Sequence, residues 1–427
     1  MNFLHLSAAD HGGAGIAAWR MHDGLRARGH ASRMFVLDRR SSDTDVLTLR
    51  REAWSFRLSR VIQKLWLKLS SRSDFYFQNQ LFSPSLDAKE LHRLVGLKPD
   101  VIIVHFISHF LGPGDVRVLQ QITDAPVLWH LLDMGHLTGG CHYAWRCEGY
   151  LSSCGSCPAL RWRGESDSPE RIWRTKYSEM GATRGWVVAG SSLLARQAAV
   201  SSLFDMRHIE TLLLGVSEKK FLPGDVPVLR EELGIEKAAK VIFFGAQKFN
   251  QRRKGMRLLF EAISRLADDW PRGYPLPALL AAGNSMNFSP LRKKGFTLID
   301  LGFVDTNTLA KAYAAADLFA CPSIEDSGPM MINESMMSGT PVVAFRMGVA
   351  EDLIEDRVTG VIAELGNVVE FAEGMRHILL WDAGRYAAAR QRCRSLALEK
   401  CSSEHQLMRL VEVAKSLVRA NDSGALC

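Results

Sequence analysis

The feature that most constrains this chain is an alternation of strand-like and helix-like segments, run through twice. Short apolar stretches rich in β-branched residues recur, each followed by a turn signal and a helix-length segment. In the first half they are NFLHLSA, ASRMFVLD, KPDVIIVHF, APVLWHLLD and GWVVAGSS. The last of these, around residues 185–192, reads as the final strand of its unit. In the second half AKVIFFGAQ, PALLAAGN, FTLIDLGFV, DLFACPS, PVVAF and TGVIAE continue the pattern. Such a βαβ order argues for parallel sheets with helices on both faces. At 427 residues the chain is too long for one ordinary core, so two domains are expected. GVSEKKFLPGDVP has the composition of a linker between them. The boundaries that follow are 1–215 and 216–395, with 396–427 as a C-terminal helical segment. Doubly wound folds bind ligands at the carboxyl ends of their strands.

Apolar residues make up 47% of the chain and charged residues 23%, the proportions of a soluble globular protein. No run of 18 apolar residues is present, which argues against a membrane-crossing helix. The start, MNFLHLSAADHGG, lacks the basic region and long apolar stretch of a secretory leader, so a cytoplasmic protein is expected. Its eight cysteines are then reduced thiols or metal ligands rather than disulfides. The net charge of +7 is concentrated early: residues 1–215 hold 26 Lys/Arg against 20 Asp/Glu, the remainder 27 against 26. An anionic partner is expected for the first half, whether a lipid surface, a phosphorylated substrate or a nucleic acid.

Five stretches carry the chemistry. PSIEDSGPMMINESMMSGTPVVAF, residues 322–345, sets Glu325, Asp326 and Glu334 in a segment that otherwise reads as buried. Pro329 suits a helix start, and an unpaired Glu334 inside a helix packed on a sheet is expensive. It is a stray solvated acid, or a carboxylate kept to grip ligand hydroxyls. DHGGAG, residues 10–15, is a glycine-rich turn whose amides, Gly13 among them, can hold a phosphate or sugar oxygen. Lacking the third glycine of a dinucleotide fingerprint, it is equally a plain tight turn. FGAQKFNQRRKGM, residues 244–256, puts Lys248, Arg252, Arg253 and Lys254 just before a helical pattern, where cations oppose the helix dipole. An anionic ligand explains them; a solvated basic loop is the alternative.

CHYAWRCEGYLSSCGSCP holds Cys141, Cys147, Cys154 and Cys157 within 17 residues, and the spacing of the last two lets two thiolates turn onto one metal. A structural zinc site, a redox pair and unliganded thiols are the readings, with His142 a reserve ligand or a packing residue. WSFRLSRVIQKLWLKLSSR, residues 54–72, contains no acid. Trp54, Leu58, Val61, Ile62, Leu65, Trp66 and Leu69 share one helical face, and Arg57, Arg60, Lys64 and Lys68 recur on another. Such a helix lies at a membrane interface or packs on its own domain.

In order along residues 12–360, GGAGIAAWRMHDGLRARGH, LWHLLDMGHLTGGCHY with CGSCP, VVAGSSLLARQ, LGVSEKKFLP, FFGAQKFNQRRKGM, LGFVDTNTLAKAYAAADLF and the 322–345 stretch resemble the retaining glycosyltransferases of family 4. The nearest members are those of bacterial exopolysaccharide, capsule and lipopolysaccharide synthesis. The resemblance implies an α/β chain of the GT-B class, with two doubly wound Rossmann-like domains and an interdomain cleft. The first domain would bind acceptor and carry a Cys-rich insert at 141–157; the second would bind a nucleotide sugar. In the implied acid-x7-acid motif Glu334 binds the donor ribose, and Asp326, with Glu325 beside it, faces the donor sugar near the reacting carbon.

Lys254 matches the lysine on the donor diphosphate, and Lys248 or Arg253 substitutes for its usual companion arginine. Phe303 and Val304 match the segment whose backbone meets the base, and Pro329, Met330 and Gly13 complete the donor-binding positions. Leu132 stands where relatives carry the histidine of an L-H-D triplet, which leaves His130 and His136 as candidates for its catalytic role. The implied reaction moves a sugar from a UDP- or GDP-sugar to a polyprenyl-linked or glycan acceptor, with retention and no catalytic metal. It would take place in the cytoplasm, with the protein held peripherally on anionic lipid at the inner face of the cell membrane. A catalytically impaired homologue and a zinc-bearing nucleic-acid binder are the alternatives. The acid motif between two α/β units speaks against nucleic acid as a partner.

Overall fold

A computed structural model describes residues 1–48, 54–72, 98–205, 207–284 and 286–426. The chain divides into two units, Met1–Leu212 with Leu407–Cys427, and Leu213–Gln406. The first holds strands β1 (Asn2–Leu6), β2 (Ala31–Val36), β3 (Val46–Thr48), β4 (Val101–Val104), β5 (Val127–Leu131), β6 (Gly185–Ala189) and β7 (Ile209–Thr211). They form one parallel sheet in the order β3-β2-β1-β4-β5-β6-β7. The second holds β8 (Val241–Ala246), β9 (Ala278–Gly283), β10 (Leu298–Asp300), β11 (Leu318–Cys321), β12 (Val342–Phe345) and β13 (Gly360–Ala363). Their order is β10-β9-β8-β11-β12-β13, again all parallel.

The apolar runs make these strands because both faces of each sheet are covered. Side chains alternate between faces with a period of two. Accordingly Leu4, Leu6, Ile102 and Val104 join one core of the first unit, while Phe3, Val101 and Ile103 join another. In the second unit Ile242, Phe244, Leu279 and Ala281 face one core, and Val241, Phe243, Leu280 and Ala282 the other. Burial on both faces erases the polar alternation of a half-exposed strand and leaves runs such as VIIV and VIFFGA.

Three expectations need correction. GWVVAGSS is not the last strand of its unit: β7 follows it at one edge of the sheet and β3 closes the other. Each of the two has three residues, too few for a periodic signal. FTLIDLGFV yields only Leu298–Asp300. The segment 396–427 does not stand apart either. Cys401 is packed in the second unit, whereas Leu407, Leu410, Ala414 and Leu417, at helical spacing, pack in the first. Leu407 fills the space a side chain at Gly24 would need, at 2.4 Å from a Cβ placed there.

Helix Trp54–Ser70 forms as the periodicity predicts, and its buried face is not the apolar one. Gln63 and Ser70 are buried and Trp66 and Leu67 partly so, whereas Leu58, Val61, Ile62, Leu65 and Leu69 are 39–62% exposed. The side chains of Trp54, Arg57 and Arg60 lie outside the described ones. Among the described residues no helix is long and apolar enough to cross a membrane.

Candidate active site

In an open parallel sheet the ligand crevice lies at the carboxyl ends of the two strands where the order reverses. In the second unit those strands are β8 and β11. The loop after β8 carries the basic cluster; the loop after β11 carries the acids. They meet at Gly255, which adopts a left-handed φ of 64° and lies so close to the Pro322 carbonyl that a Cβ would come within 1.8 Å of its oxygen. Only glycine meets both conditions. The Ile324 amide then donates to the Arg253 carbonyl at 2.8 Å, tying one loop to the other.

This contact brings Asp326 to its partners. Its Oδ2 accepts from Lys254 Nζ at 2.6 Å and from Arg253 Nη1 at 3.0 Å. Burial pushes the Asp326 carboxyl up, but Lys254 and then Arg253 outweigh it and leave its pKa below the ordinary value. The carboxylate is ionised and its two cations are held on the crevice side of the sheet. Glu334 follows on helix Met330–Met337, with Pro329 as N-cap at φ −65°. Glu334 is 7% exposed, and Tyr313 donates its hydroxyl to Oε2 at 3.2 Å. Burial, and then the Glu334 charge, drive the Tyr313 pKa well up, so the phenol remains a donor. Met330 is partly buried on the same first turn.

The structure therefore joins Arg253, Lys254 and Asp326 directly, with the Glu325 amide 3.4 Å from the Arg253 carbonyl. Lys248 is exposed on the loop after β8; Phe303, 72% exposed, and the partly exposed Val304 follow β10. These positions follow strands of the same sheet at its carboxyl ends.

In the first unit the order reverses between β1 and β4. After β1 the chain turns through Asp10, whose carboxylate accepts from the Arg40 and Ser41 amides at 2.9 and 2.8 Å and so binds this turn to the loop after β2. Burial opposes ionisation of Asp10, but those amides prevail and its pKa falls to about 2. Helix Gly12–Ala27 starts here with Gly13 exposed, and Gly15 fits because a Cβ would approach the Ala9 oxygen to 2.6 Å. The amides of this first turn are open to an anion or sugar oxygen.

His130 and His136 do not open onto that crevice. His130 is fully enclosed in a chain of imidazoles: His5 Nδ1 to His105 Nε2 at 2.9 Å, and His105 Nδ1 to His130 Nδ1 at 2.8 Å. Burial draws His130 down to about 3, so it is neutral. His136 Nε2 donates to the His105 carbonyl at 2.5 Å, and burial draws its pKa to about 4. In this structure both are packed, neutral groups.

The histidine that reaches Asp133, beside Leu132, is His142, nine residues further on. Its Nδ1 lies 2.8 Å from Asp133 Oδ2, and its Nε2 3.4 Å from Ser108 Oγ in the loop after β4. Sequence spacing did not single out this Asp–His–Ser line, because its members come from three separate loops.

Cys141, Cys147, Cys154 and Cys157 line one cavity of ≈ 20 Å³. They are free thiols, and among the described residues no three His, Cys, Asp or Glu side chains are grouped as they would be around a metal ion.

Residues 238–380 match the family described as glycosyl transferases group 1. A D-inositol 3-phosphate glycosyltransferase of Segniliparus rotundus is 31% identical over 212 residues, 47% of this chain and 46% of that protein. The chain thus spans about half the length of the curated relatives it matches. Anabaena Alr3699/HepE, solved in complex with UDP and glucose, aligns with a TM-score of 0.64 at 16% identity, covering 97% of this chain and 100% of that one. WaaG, a glycosyltransferase involved in lipopolysaccharide biosynthesis, aligns with a TM-score of 0.61 at 14% identity over 97% and 99% of the two chains. Residues 238–380 are thus similar to the group 1 glycosyl transferases, and the two parallel sheets are those of the GT-B fold.

Proposed function

We propose that this protein transfers a sugar from a nucleotide-sugar donor to an acceptor hydroxyl, with retention at the anomeric carbon. The observation that carries the reading is the Arg253–Lys254–Asp326 cluster at the β8/β11 reversal, followed on the next helix by the buried Glu334. The pairing holds a guanidinium and an ammonium where a ligand's diphosphate would lie. Negative charge builds on that diphosphate as the sugar departs, and preorganised cations stabilise it more in the transition state than in the ground state. Glu334, which accepts from the Tyr313 hydroxyl at Oε2, would also accept from the ribose hydroxyls in charge-assisted bonds. Asp326 would face the donor sugar, and the acceptor hydroxyl would pass its proton to the leaving phosphate oxygen on the same face. No metal is needed for that step.

Alr3699/HepE was solved with UDP and glucose, which supports a UDP-sugar as the first donor to test. The first unit bears on the acceptor. Helix Trp54–Ser70 turns Leu58, Val61, Ile62, Leu65 and Leu69 outward, together with the exposed Lys64 and Lys68. Leaving such side chains in water forgoes about 1.5–3 kcal/mol each on full burial, and a basic amphipathic face recovers it at an anionic lipid surface. A polyprenyl-linked acceptor of surface-polysaccharide synthesis fits this face better than the inositol phosphate named for the curated relatives.

The decisive experiment offers the protein UDP-, GDP- and ADP-sugars with lipid-linked, glycan and inositol-phosphate acceptors and reads product configuration by NMR. Transfer with retention from one donor supports the proposal; nucleotide-sugar binding without transfer to any acceptor favours the catalytically impaired homologue. Co-sedimentation with anionic vesicles, falling as salt rises and abolished by Lys64→Glu with Lys68→Glu, tests the membrane.

A further inference from the structure

The cysteine segment is more tightly wound than its sequence requires. Cys154, Gly155 and Ser156 have φ values of 54°, 94° and 44°, with Trp145 at 55° close by. Left-handed backbone at non-glycine residues is strained and persists only where the surroundings over-determine it. Here the strain turns the four thiols into one small space. The cavity they line is ≈ 20 Å³, room for about one water-sized body.

Backbone amides point at the sulfurs. Gly139 donates to Cys154 Sγ at 3.2 Å. The amides of Ala159 and Leu160, two and three residues beyond Cys157, act on its sulfur. Amides directed at cysteine sulfurs stabilise thiolate and orient metal ligands. The Cys157 amide is itself fixed by Asp167 Oδ2 at 2.8 Å, while Asp167 Oδ1 caps helix Ser168–Gly181 through Glu170. A buried ammonium is also present: Lys176 Nζ donates to the carbonyls of Gly135 and Thr138 at 2.5 and 2.8 Å and interacts with Cys141 and Cys154. Cys141 and Cys157 hydrogen-bond to each other, so the thiols are adjacent but not closed on one point.

We infer that Cys141, Cys147, Cys154 and Cys157 close on a single zinc-class divalent cation, and that this knuckle is the mount of helix Trp54–Ser70. Binding replaces four S–H protons, released to solvent, with four sulfur–metal bonds. The resulting site carries two negative charges, offset by Lys176 and the directed amides. The soft sulfur set in tetrahedral number selects zinc over oxygen-seeking cations.

The mount follows from the residues just beyond Cys157. Ala159 accepts from the Arg72 amide at 2.8 Å, Arg161 donates to the Ser70 carbonyl at 2.7 Å, and Ser71 bridges Leu160. Trp66 and Leu67 pack on the cluster of Cys157, Ala159, Leu160 and Ile172. The outward stripe of the helix is thereby held by its opposite face to the metal knuckle.

The test uses the full chain purified under reducing conditions without chelator. Elemental analysis should find about one zinc per chain, and exchange for cobalt should give a thiolate-to-metal charge-transfer band. A thiol reagent should find four more reactive cysteines after chelation than before. Cys154→Ser and Cys141→Ser should each lose the metal. Hydrogen exchange over residues 58–72 should rise after chelation while residues 238–380 stay unchanged. Metal-free wild-type protein whose four thiols react equally with and without chelator overturns the site, as does finding the four paired in disulfides. Unchanged exchange over 58–72 on metal loss overturns the mount. The wild-type readouts stand even if the variants fail to fold.

Discussion

The two sheets bury polar side chains near their points of reversal and neutralise them in opposite ways. In the first unit His5 on β1, His105 after β4 and His130 on β5 are fully buried and uncharged, because desolvation lowers each pKa. In the second, Asp326 remains ionised between two cations. Neutral imidazoles sharing protons make a rigid seam that has no charge to offer a ligand. An ion cluster that holds a guanidinium and an ammonium at the ends of the strands can accept an anion. The difference lies in these two seams: in the first unit ionised side chains stand outside the histidine chain, at Asp10 and at Asp133 beside His142, whereas in the second they meet at the reversal itself.

Lys254→Ala should sharpen that contrast most. Under the proposed reaction Lys254 meets the leaving diphosphate, and its removal should lower turnover at saturating donor on the order of 10²- to 10³-fold, more than it weakens donor binding. Initial rates beside calorimetric titration separate the two, and a wild-type rate would make the cluster structural.

Acid should then separate the units. A histidine whose folded pKa is depressed leaves the unfolded state binding more protons, so stability is intact above the ordinary value near 6.5 and is lost as pH falls below it. Each such group costs about 1.4 kcal/mol per pH unit until its folded pKa is reached, about 4 for His136 and about 3 for His130. Asp326 has the same sign but a lower window: its pairing stabilises above the ordinary carboxylate value and is lost only as pH falls through its depressed one. Hydrogen exchange between pH 6.5 and 4.5 should show the first unit opening while residues 238–380 stay protected. Loss of protection in both at the same pH would erase the comparison.

A smaller effect is expected at Glu334. Glu334→Gln keeps the shape and gives up charge-assisted bonds, so affinity for the preferred nucleoside diphosphate should fall about tenfold, or 1.4 kcal/mol, by calorimetry. Smallest of all is His130→Gln, which should leave the transfer rate per folded molecule within about threefold, since that ring touches other histidines rather than a crevice. A rate lost by orders of magnitude would break the contrast by returning His130 to the chemistry.

Local chemistry alone determined a good part of this molecule. The strand runs announced two parallel sheets because burial on both faces leaves its mark within a few residues. MMINESMM forms the short helix that Pro329 begins. The identities of Lys254, Asp326 and Glu334 stood out as charges with no local reason to be there. What tertiary structure decided is who meets whom. Lys254 pairs with an acid 72 residues away because β8 lies beside β11 and Gly255 lets their loops touch. His130 fell out of the site because β1, β4 and β5 are neighbours and enclose it. The basic helix showed its apolar stripe in sequence, but only the packing of Trp66 and Leu67 on the cysteine knuckle turned that stripe outward. Periodicity is fixed by backbone geometry within a turn or a pleat, whereas partners across a sheet depend on the strand order, which no local pattern encodes.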